Sequence, residues 1–391
     1  MKIIKQFMKN GVTQMIAFNR SSITEKEKDY VLDSINTNHL HGDGKYTKLV
    51  KEWFEERINS KVLLTTSCTA ALEMSAILCD IKPGDEVIVP SYTFVSSINA
   101  FVLRGAIPVF VEIDPKTMNI DVKKIEEKIT DKTKAIIIVD YAGVVPDMDY
   151  VNKIAKKHNL FVVEDAAQAV GSYYKDKSAG TLADFGCYSF HDTKNYTMGE
   201  GGAFITNYDD KFLSAEIIRE KGTNRTQFTR GIVDKYNWCS LGSSYLPSDI
   251  LSALLYGQLN RFDEIMEKRM NIWNYYHKNL KELETKKYLT RQYIPKNCKH
   301  NAHMYYIILK DKETKSALEK YFKENGIQAN SHYYPLHISP MGKTYGYKEG
   351  DLPLTEDYAL RLLRLPLYAD LTLEEAEKVC KTLKEFFKEN N

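Results

Sequence analysis

Two residues that each follow an apolar stretch have the side-chain types of a cofactor site. The strand-like run Leu160 to Val163 leads into Asp165, and Lys194 lies in a loop just past another apolar stretch. A buried lysine opposite a fixed carboxylate suits an aldehyde cofactor such as pyridoxal phosphate (PLP). The lysine amine forms a Schiff base with the aldehyde, and the carboxylate keeps the pyridine nitrogen protonated, so that the ring accepts electrons. The pair predicts Lys194 as the catalytic, cofactor-binding residue and Asp165 as its partner on the cofactor ring.

Both residues also have a purely structural interpretation. Most lysines are solvent-exposed, but Lys194 lies in a compact loop between Phe190 and the glycines of 199–202. Asp165 could instead cap a helix that begins at the strand end, with Gln168 completing the cap. We favour the cofactor site because both signals fall at one strand end, where α/β sheets bind ligands. Gln168 is then expected near the phenolic oxygen of the cofactor.

Small hydroxyl residues open a predicted helix at residues 65–72. The free N–H groups and the positive dipole end of such a helix suit a phosphate. Plain N-capping by Ser67 is the structural alternative, and the motif alone does not decide between them. Ser189 is a candidate to supply a further hydroxyl to the same phosphate.

Three aromatic side chains are candidates for ligand contacts. Phe94 follows a strand end, where it could stack on the cofactor ring, although the position alone favours a core aromatic. His332 and Tyr333 lie in a loop after a predicted strand that follows Gly326. They could contact a sugar or a nucleotide, or they could belong to an interface.

The elements that must position these residues form an α/β pattern. Between about residues 61 and 207, short β-branched strands alternate with helical segments, which indicates a mainly parallel sheet with both faces buried. A long helical stretch then runs from Asp249 to Leu280, and the remainder is typical of a smaller α+β unit. A chain of 391 residues is too long for one ordinary core. We therefore expect a large domain at 15–260 and a small C-terminal domain at 261–391.

Composition and charge exclude several classes of function. A formal net charge of +2 gives no support for a nucleic-acid partner. No apolar run approaches the roughly 18 residues that span a bilayer, and the N-terminus lacks the apolar core of a signal peptide. Six cysteines dispersed without C-x-x-C spacing indicate reduced thiols, so we expect a cytoplasmic protein with no membrane partner. No metal site is expected, since His300 and His303 have no cysteine or acid cluster beside them.

With these residues identified, the chain resembles the DegT-like sugar-nucleotide aminotransferases, a branch of the fold-type I PLP enzymes. The resemblance runs from about Met15 to the C-terminus, and it is carried by Ser67 to Leu72, Pro90 to Ser96, Glu164 to Gln168 and Ser189 to His191. Within the family, the chain is most similar to the dTDP-4-amino-4,6-dideoxygalactose transaminases. The segments with that similarity are Glu220 to Arg225, Gly242 to Leu246 and His332 to His337.

The resemblance implies a fold, a cofactor and a role for each site residue. The fold is that of a fold-type I transferase, and the cofactor is pyridoxal 5'-phosphate, held covalently by Lys194. Asp165 pairs with the ring nitrogen, and Phe94 stacks on the ring face. The phosphate is held by Cys68, Thr69 and Ser189.

The resemblance also implies a reaction. L-glutamate donates its amino group and leaves as 2-oxoglutarate, and a dTDP-4-keto-6-deoxyhexose takes the amine at C4. The product, a dTDP-4-amino-4,6-dideoxyhexose, would enter lipopolysaccharide or O-antigen synthesis. A homodimer with shared active sites is expected. A UDP-linked sugar, amination at C3 and either product stereochemistry stay open.

Two departures from the family pattern and three rival functions complete the sequence-based picture. Ser244 stands where many relatives carry an asparagine that reaches the phosphate of the partner subunit. Residues 1–14 form an N-terminal extension, either a disordered arm or an upstream misread start. A related dehydratase branch carries histidine at the Schiff-base position, so Lys194 argues against dehydration. A nicotinamide oxidoreductase would need a G-x-G-x-x-G turn, which is missing before the helix at Thr69, and a non-catalytic PLP-fold regulator or scaffold is disfavoured by Lys194, Asp165 and Gln168.

Overall fold

The computed structural model describes residues 15–389, so the predicted extension at 1–14 lies outside the described residues. The strands are β1 Lys61–Thr65, β2 Glu86–Pro90, β3 Ile107–Val111, β4 Thr133–Val139, β5 Phe161–Asp165, β6 Tyr173–Tyr174, β7 Lys177–Ser178, β8 Phe185–Ser189, β9 Gly202–Thr206, β10 Leu289–Arg291, β11 Cys298–Lys299, β12 Tyr305–Leu309 and β13 Leu362–Leu365. The helices are α1 Glu25–Asn36, α2 Lys45–Ile58, α3 Cys68–Leu78, α4 Ser96–Val102, α5 Met148–His158, α6 Asp209–Arg219, α7 Arg225–Thr229, α8 Asp249–Leu259, α9 Phe262–Asn279, α10 Lys281–Thr285, α11 Lys312–Glu324, α12 Pro340–Thr344, α13 Pro353–Arg361 and α14 Leu373–Glu389. Short 3₁₀ turns lie at Val122–Lys124, Glu126–Lys128, Tyr141–Gly143 and Leu336–Ile338.

A seven-stranded sheet with the order β1-β9-β8-β5-β4-β2-β3 forms the centre of the larger unit. Neighbouring strands from β8 to β3 are parallel, and β9 runs antiparallel to both β8 and β1. The predicted mainly parallel α/β architecture is therefore confirmed. The carboxyl ends of β5 and β8 are neighbours, which brings Asp165 and the loop after Ser189 to one edge.

Helices cover both faces of this sheet, which explains why its strands are apolar without alternation. On one face, strand residues such as Ile88 and Ile136 pack in one core with residues of α2, α5 and α8. On the other face, Val87 and Ile137 pack with residues of α3, α4 and α6. The sheet is thus a rigid platform for the loops at its carboxyl edge.

The second unit is built on the antiparallel sheet β10-β12-β13. Its core contains Trp273 and Tyr276 of α9, Phe322 of α11 and Leu383 of α14. Ile16 joins the same core and forms a parallel bridge with Ile327. The α+β character predicted for this part of the chain is confirmed, and the domain boundary at 260/261 stays a prediction.

Three local predictions differ from the structure. The helical stretch predicted from Asp249 to Leu280 is two helices, because Arg261 leaves the helical conformation (φ −112°, ψ 18°) and donates a hydrogen bond to the buried Glu27 at 2.8 Å. The predicted turn at Pro146-Asp147-Met148-Asp149 is the start of α5, with Asp147 as its N-cap. The segment after Gly326 forms isolated bridges instead of a strand.

Candidate active site

All the site residues predicted from the sequence line one cavity of about 750 Å³. These residues are Cys68, Thr69, Phe94, Asp165, Gln168, Ser189, Lys194, His332 and Tyr333. They come from five segments of the chain (68–69, 94, 165–168, 189–194 and 332–333), which meet at the carboxyl edge of the large sheet and at the loops of the second unit. The volume lies within the range of about 300–1,000 Å³ that is typical of small-molecule sites.

Asp165 ends β5 with its carboxylate buried and hydrogen-bonded. Oδ2 accepts a hydrogen bond from the Ser97 hydroxyl at 2.6 Å, and Oδ1 accepts one from the Ala167 N–H at 3.2 Å. The Cys68 thiol lies 3.9 Å from Oδ1. Burial raises the pKa of Asp165, while these bonds and the charge of Lys194 oppose that rise. Residues 166–171 form turns and no helix begins there, so the N-cap interpretation of Asp165 is wrong.

Lys194 lies in a tight loop between β8 and β9. The loop is closed by the backbone bonds Asp192 N–H to Gly199 O and Lys194 N–H to His191 O, both 2.9 Å. Buried apolar side chains of the loop, including Tyr196, anchor it, and the Tyr196 ring stacks on Phe262 at a centroid distance of 4.4 Å. These contacts fix the backbone of the loop at Lys194.

The electrostatic environment of Lys194 favours a neutral amine. Burial lowers the pKa of Lys194, and the nearby Cys68 and Asp165 only partly oppose this effect. A neutral amine is the form that attacks a carbonyl carbon, so this position suits a lysine that binds an aldehyde and transfers protons.

The N-terminus of α3 also lines the cavity. The Ser67 hydroxyl accepts a hydrogen bond from the Ala70 N–H at 3.0 Å, so the structural alternative of N-capping by Ser67 is present. The N–H groups of Cys68 and Thr69, the first residues of α3, form no hydrogen bond with any of residues 15–389. Gly202 passes so close that a Cβ there would lie 2.4 Å from the Cys68 nitrogen. This arrangement leaves free N–H groups and a dipole end that suit an anion.

Gln168, His332 and Tyr333 form a connected group on a second wall. Gln168 accepts a hydrogen bond from the Ala142 N–H at 2.7 Å and donates one to the Tyr333 hydroxyl at 2.8 Å. The Tyr141 hydroxyl lies 2.7 Å from His332 Nδ1, and the His332 and Tyr333 rings stack at 3.7 Å. The predicted substrate residues are therefore held at the cavity wall.

Phe94 and Ser244 differ in their relation to the cavity. Phe94 lines it with 56% of its surface exposed, and its ring centroid is 6.2 Å from that of Tyr333. Its exposure argues against the alternative of a core aromatic. Ser244 is exposed, pairs with Glu220 and is not among the cavity-lining residues.

The donor set of the cavity fits PLP on three observations. A buried carboxylate receives hydrogen bonds but has no ion-pair partner within residues 15–389, which matches a protonated pyridine nitrogen. A loop-fixed lysine amine matches the aldehyde. Free helix N–H groups beside the hydroxyls of Thr69 and Ser189 match the phosphate.

Sequence reasoning missed three residues at this site. Ser97 reaches Asp165 from the first turn of α4, His303 lines the cavity, and Arg364 lines it with its guanidinium 4.7 Å from the Phe18 ring. His303 and Arg364 belong to the second unit, and no local pattern indicates that they face a cofactor site. The serine-rich run at 96–97 was the one available signal for Ser97, since hydroxyl residues after a strand end often bind polar groups.

The fold and this cavity define a fold-type I PLP-dependent transferase. The chain belongs to the DegT/DnrJ/EryC1/StrS aminotransferase family, whose model matches residues 21–384. The predicted family, enzyme class and cofactor are thus confirmed: the protein is a PLP-dependent sugar aminotransferase.

Individual relatives support this assignment. The chain is 33% identical to a GDP-perosamine synthase of Escherichia coli O157:H7 over 94% of this chain and 97% of that one. The PLP form of Spr1654 from Streptococcus pneumoniae, a putative sugar aminotransferase, has a TM-score of 0.87 at 27% identity, covering 96% and 99% of the two chains. PseC of Helicobacter pylori, an aminotransferase of pseudoaminic acid biosynthesis, has a TM-score of 0.87 at 28% identity, covering 96% and 100%. Within residues 15–389, no helix has the length and apolar character needed to span a membrane.

Proposed function

We propose that this protein transfers an amino group from L-glutamate to the keto carbon of a nucleotide-linked 4-keto-6-deoxyhexose. The observation that carries the proposal is the pair of Lys194 and Asp165 in one cavity, with free N–H groups at the start of α3. PLP, when bound, supplies a carbonyl carbon that accepts amines and a ring that accepts electrons.

The residues of the chain divide the work between binding and proton transfer. Asp165 holds the ring nitrogen in its protonated form, because its buried carboxylate is stabilised by Ser97 and Ala167. The N–H groups of Cys68 and Thr69 and the hydroxyl of Ser189 bind the phosphate. These assignments agree with the roles expected from the sequence.

Lys194 has two duties. Its Nζ would hold the cofactor through the aldehyde carbon, and as a free neutral amine it would carry a proton to and from the substrate carbon. Burial lowers the pKa of Lys194, which increases the neutral fraction needed for both duties. Phe94 would cover the face of the cofactor ring, and Gln168, whose amide is fixed by Ala142 and Tyr333, would contact the phenolic oxygen.

The nucleotide of the sugar substrate has two candidates. The segments at 220–225, 242–246 and 332–337 favour dTDP, since they resemble those of the dTDP-4-amino-4,6-dideoxygalactose transaminases. The similarity to a GDP-perosamine synthase over nearly the whole chain favours a GDP-linked sugar. A product sugar of either kind would enter surface glycan synthesis.

The proposal includes a homodimer with shared active sites. A stretch that runs from Phe228 in α7 to the β-bridge residue Ser244 supports it, because its large apolar side chains are exposed: Phe228, Ile232, Tyr236, Trp238 and Leu241. Trp238 is 82% exposed, and apolar patches of this kind mark protein interfaces. Ser244 at the end of this segment would then approach the partner's cofactor.

The proposal is tested by incubating the enzyme with glutamate and a panel of dTDP-, GDP- and UDP-linked 3- and 4-ketosugars. Release of 2-oxoglutarate measures turnover, and NMR of the product gives the position and stereochemistry of the amine. Lys194→Ala is expected to abolish turnover without lowering the thermal unfolding midpoint, whereas Lys48→Ala, an exposed lysine of α2, leaves turnover unchanged. Retained 2-oxoglutarate release by Lys194→Ala would refute the proposal.

A further inference from the structure

His303 lines the cavity beside Lys194 but has no part in the chemistry described so far. It lies two residues before β12, and its Nδ1 is 3.0 Å from Oδ1 of Asn195, the residue that follows Lys194. Its other ring nitrogen, Nε2, is the one left for a ligand in the cavity. Whether Nε2 donates or accepts a hydrogen bond depends on which ring nitrogen carries the proton.

The hydrogen-bond network assigns that proton. Nδ2 of Asn195 donates to the backbone carbonyl of Asn301 at 2.8 Å. A carbonyl oxygen only accepts hydrogen bonds, so the amide nitrogen of Asn195 must face it and the amide oxygen must face His303. An amide oxygen also only accepts, so Nδ1 of His303 must donate.

Asn301 extends this network to the cofactor wall. Its Nδ2 donates to the carbonyls of Gln168 at 2.9 Å and Val170 at 3.0 Å, and its Oδ1 accepts the N–H of His303 at 3.0 Å. The amide nitrogen of Asn301 therefore faces groups that only accept, and its amide oxygen faces a group that only donates. One orientation of the side-chain amide satisfies all three hydrogen bonds. Asn195 thus holds the imidazole ring of His303, and Asn301 holds its backbone N–H.

The surroundings of His303 keep its ring neutral. Burial lowers the pKa of His303, and Lys194, Arg269, His332 and Arg364 lower it further. Lys194 belongs to the loop between β8 and β9, and Arg269 belongs to α9. His332 lies in the loop that follows Gly326, and Arg364 lies in β13. With one proton on Nδ1, a neutral ring presents a lone pair at Nε2.

We propose that His303 is a specificity-determining residue for the sugar, whose hydroxyl group donates a hydrogen bond to Nε2 of His303. The inference rests on the proposed function. A fixed acceptor cannot bind the carboxylates of glutamate or the phosphates of the nucleotide, which are acceptors themselves. Neutral donors on the nucleotide sugar are the base N–H groups and the hydroxyls of its two sugars. The hydroxyls of the hexose are next to the keto carbon that must reach Lys194, and His303 lies beside Lys194 in the same cavity.

The tautomer is tested without turnover. The full-length enzyme is labelled with ¹⁵N at its nine histidines, and long-range ¹⁵N correlation spectra are compared with those of His303→Gln, which identifies the His303 signals. We expect a proton on Nδ1 and an unprotonated Nε2 at neutral pH. A proton on Nε2 in the free enzyme would overturn the proposal.

The role is tested by measuring the two half-reactions separately in single-turnover experiments. In His303→Leu, the rate constant of the ketosugar half-reaction at low substrate is expected to fall about 10- to 100-fold, because a hydroxyl loses its acceptor. The glutamate half-reaction stays within about threefold. His303→Gln, which keeps an acceptor oxygen, recovers part of the loss, and His277→Gln, a half-buried histidine of α9 outside the cavity, changes neither half-reaction. Equal losses in both half-reactions of His303→Leu would overturn the proposal.

Asn195→Asp provides a readout that a structural role would not move. The introduced carboxylate still accepts from Nδ1 but raises the pKa of His303, so below that raised pKa the ring carries both protons and Nε2 becomes a donor. The ketosugar half-reaction of this variant is expected to be slow at low pH and to recover as the pH rises, an ionisation that the wild type lacks. Absence of this new pH dependence would count against the proposal. If the wild-type enzyme aminates no ketosugar of the panel, the proposed function itself fails. If the wild type is active but the His303 variants lose both half-reactions equally, only the proposal for His303 fails.

Discussion

Gly202→Ala provides a direct test of the anion site at the start of α3. Gly202 is the first residue of β9, and a Cβ there would lie 2.4 Å from the Cys68 nitrogen and 2.6 Å from the Ser67 carbonyl oxygen. These atoms belong to the backbone, so no side-chain rotation relieves the clash. The helix N-terminus must move away from β9.

The size of this effect follows from the distances. Ordinary contact begins at 3.4 Å, so the Cys68 nitrogen must shift by about 1 Å, the difference between 3.4 and 2.4 Å. A shift of that size breaks a hydrogen bond to a phosphate, and a bond to a charged group contributes about 1.5–3 kcal/mol. Since about 1.4 kcal/mol corresponds to a factor of ten, binding is expected to weaken about 10- to 100-fold.

The assay is a calorimetric titration with pyridoxamine phosphate, which carries the phosphate and the ring but forms no covalent bond with Lys194. Gly199→Ala, in the loop just before β9, is the matched control, since a Cβ at Gly199 meets nothing within 4 Å and only the backbone conformation (φ +81°) is strained. We expect the control to lose thermal stability but to bind pyridoxamine phosphate within about threefold of wild type. Wild-type affinity in Gly202→Ala, or an equal loss in both variants, would refute the assignment of this helix end to the phosphate.

Two further predictions concern stability. Glu27→Ala is expected to cost about 1.5–3 kcal/mol of unfolding free energy, measured by urea titration, because Arg261 and Gln258 lose their shared charged acceptor. Arg261 keeps its ion pair with Glu264, so its charge stays paired. A loss below about 1 kcal/mol would contradict this. Hydrogen bonds from Arg261 and Lys268 lower the pKa of Glu264 from 4.5 to about 2, so its stabilising effect is present above pH 4.5 and is lost as the pH falls towards 2. The unfolding free energy of Glu264→Gln should therefore differ from that of wild type more at pH 7 than at pH 3. The difference should be at most about 1 kcal/mol, because the Glu264 side chain is 45% exposed. An equal difference at both pH values would exclude the ionisation of Glu264 as the cause.

The parts of the structure that the sequence predicts well are those with a local cause. The buried strands are continuous apolar runs, and a parallel sheet places their carboxyl ends together, which is why Asp165 and the Lys194 loop meet as expected. The break at Arg261 is accompanied by a distant contact, since its partner Glu27 is 234 residues away in the chain. Helical periodicity continues through residues 249–280, so the apolar pattern does not predict the break.

The same distinction explains which site residues were missed. Ser97, His303 and Arg364 have ordinary neighbours in the sequence, and their function depends on where α4 and the second unit pack. His303 was considered only as a metal ligand. Its relation to Lys194 arises from the contact between Asn195 and Asn301, which joins the two units and has no sequence signature.

The cavity has two walls of different origin, and this bears on how one site accepts two substrates. Asp165, the α3 N-terminus and the Lys194 loop belong to the large sheet unit and are proposed to bind the cofactor, which is common to both half-reactions. His303, His332 and Arg364 come from the second unit. If the first wall binds the cofactor and the second reads the sugar, Gly202→Ala should change pyridoxamine phosphate affinity while sparing the ratio of the two half-reactions, and His303→Leu should do the reverse. Such a division would allow the sugar specificity to change through the second wall while the cofactor chemistry stays constant. The names of two relatives, which refer to GDP-perosamine and to pseudoaminic acid, are consistent with it.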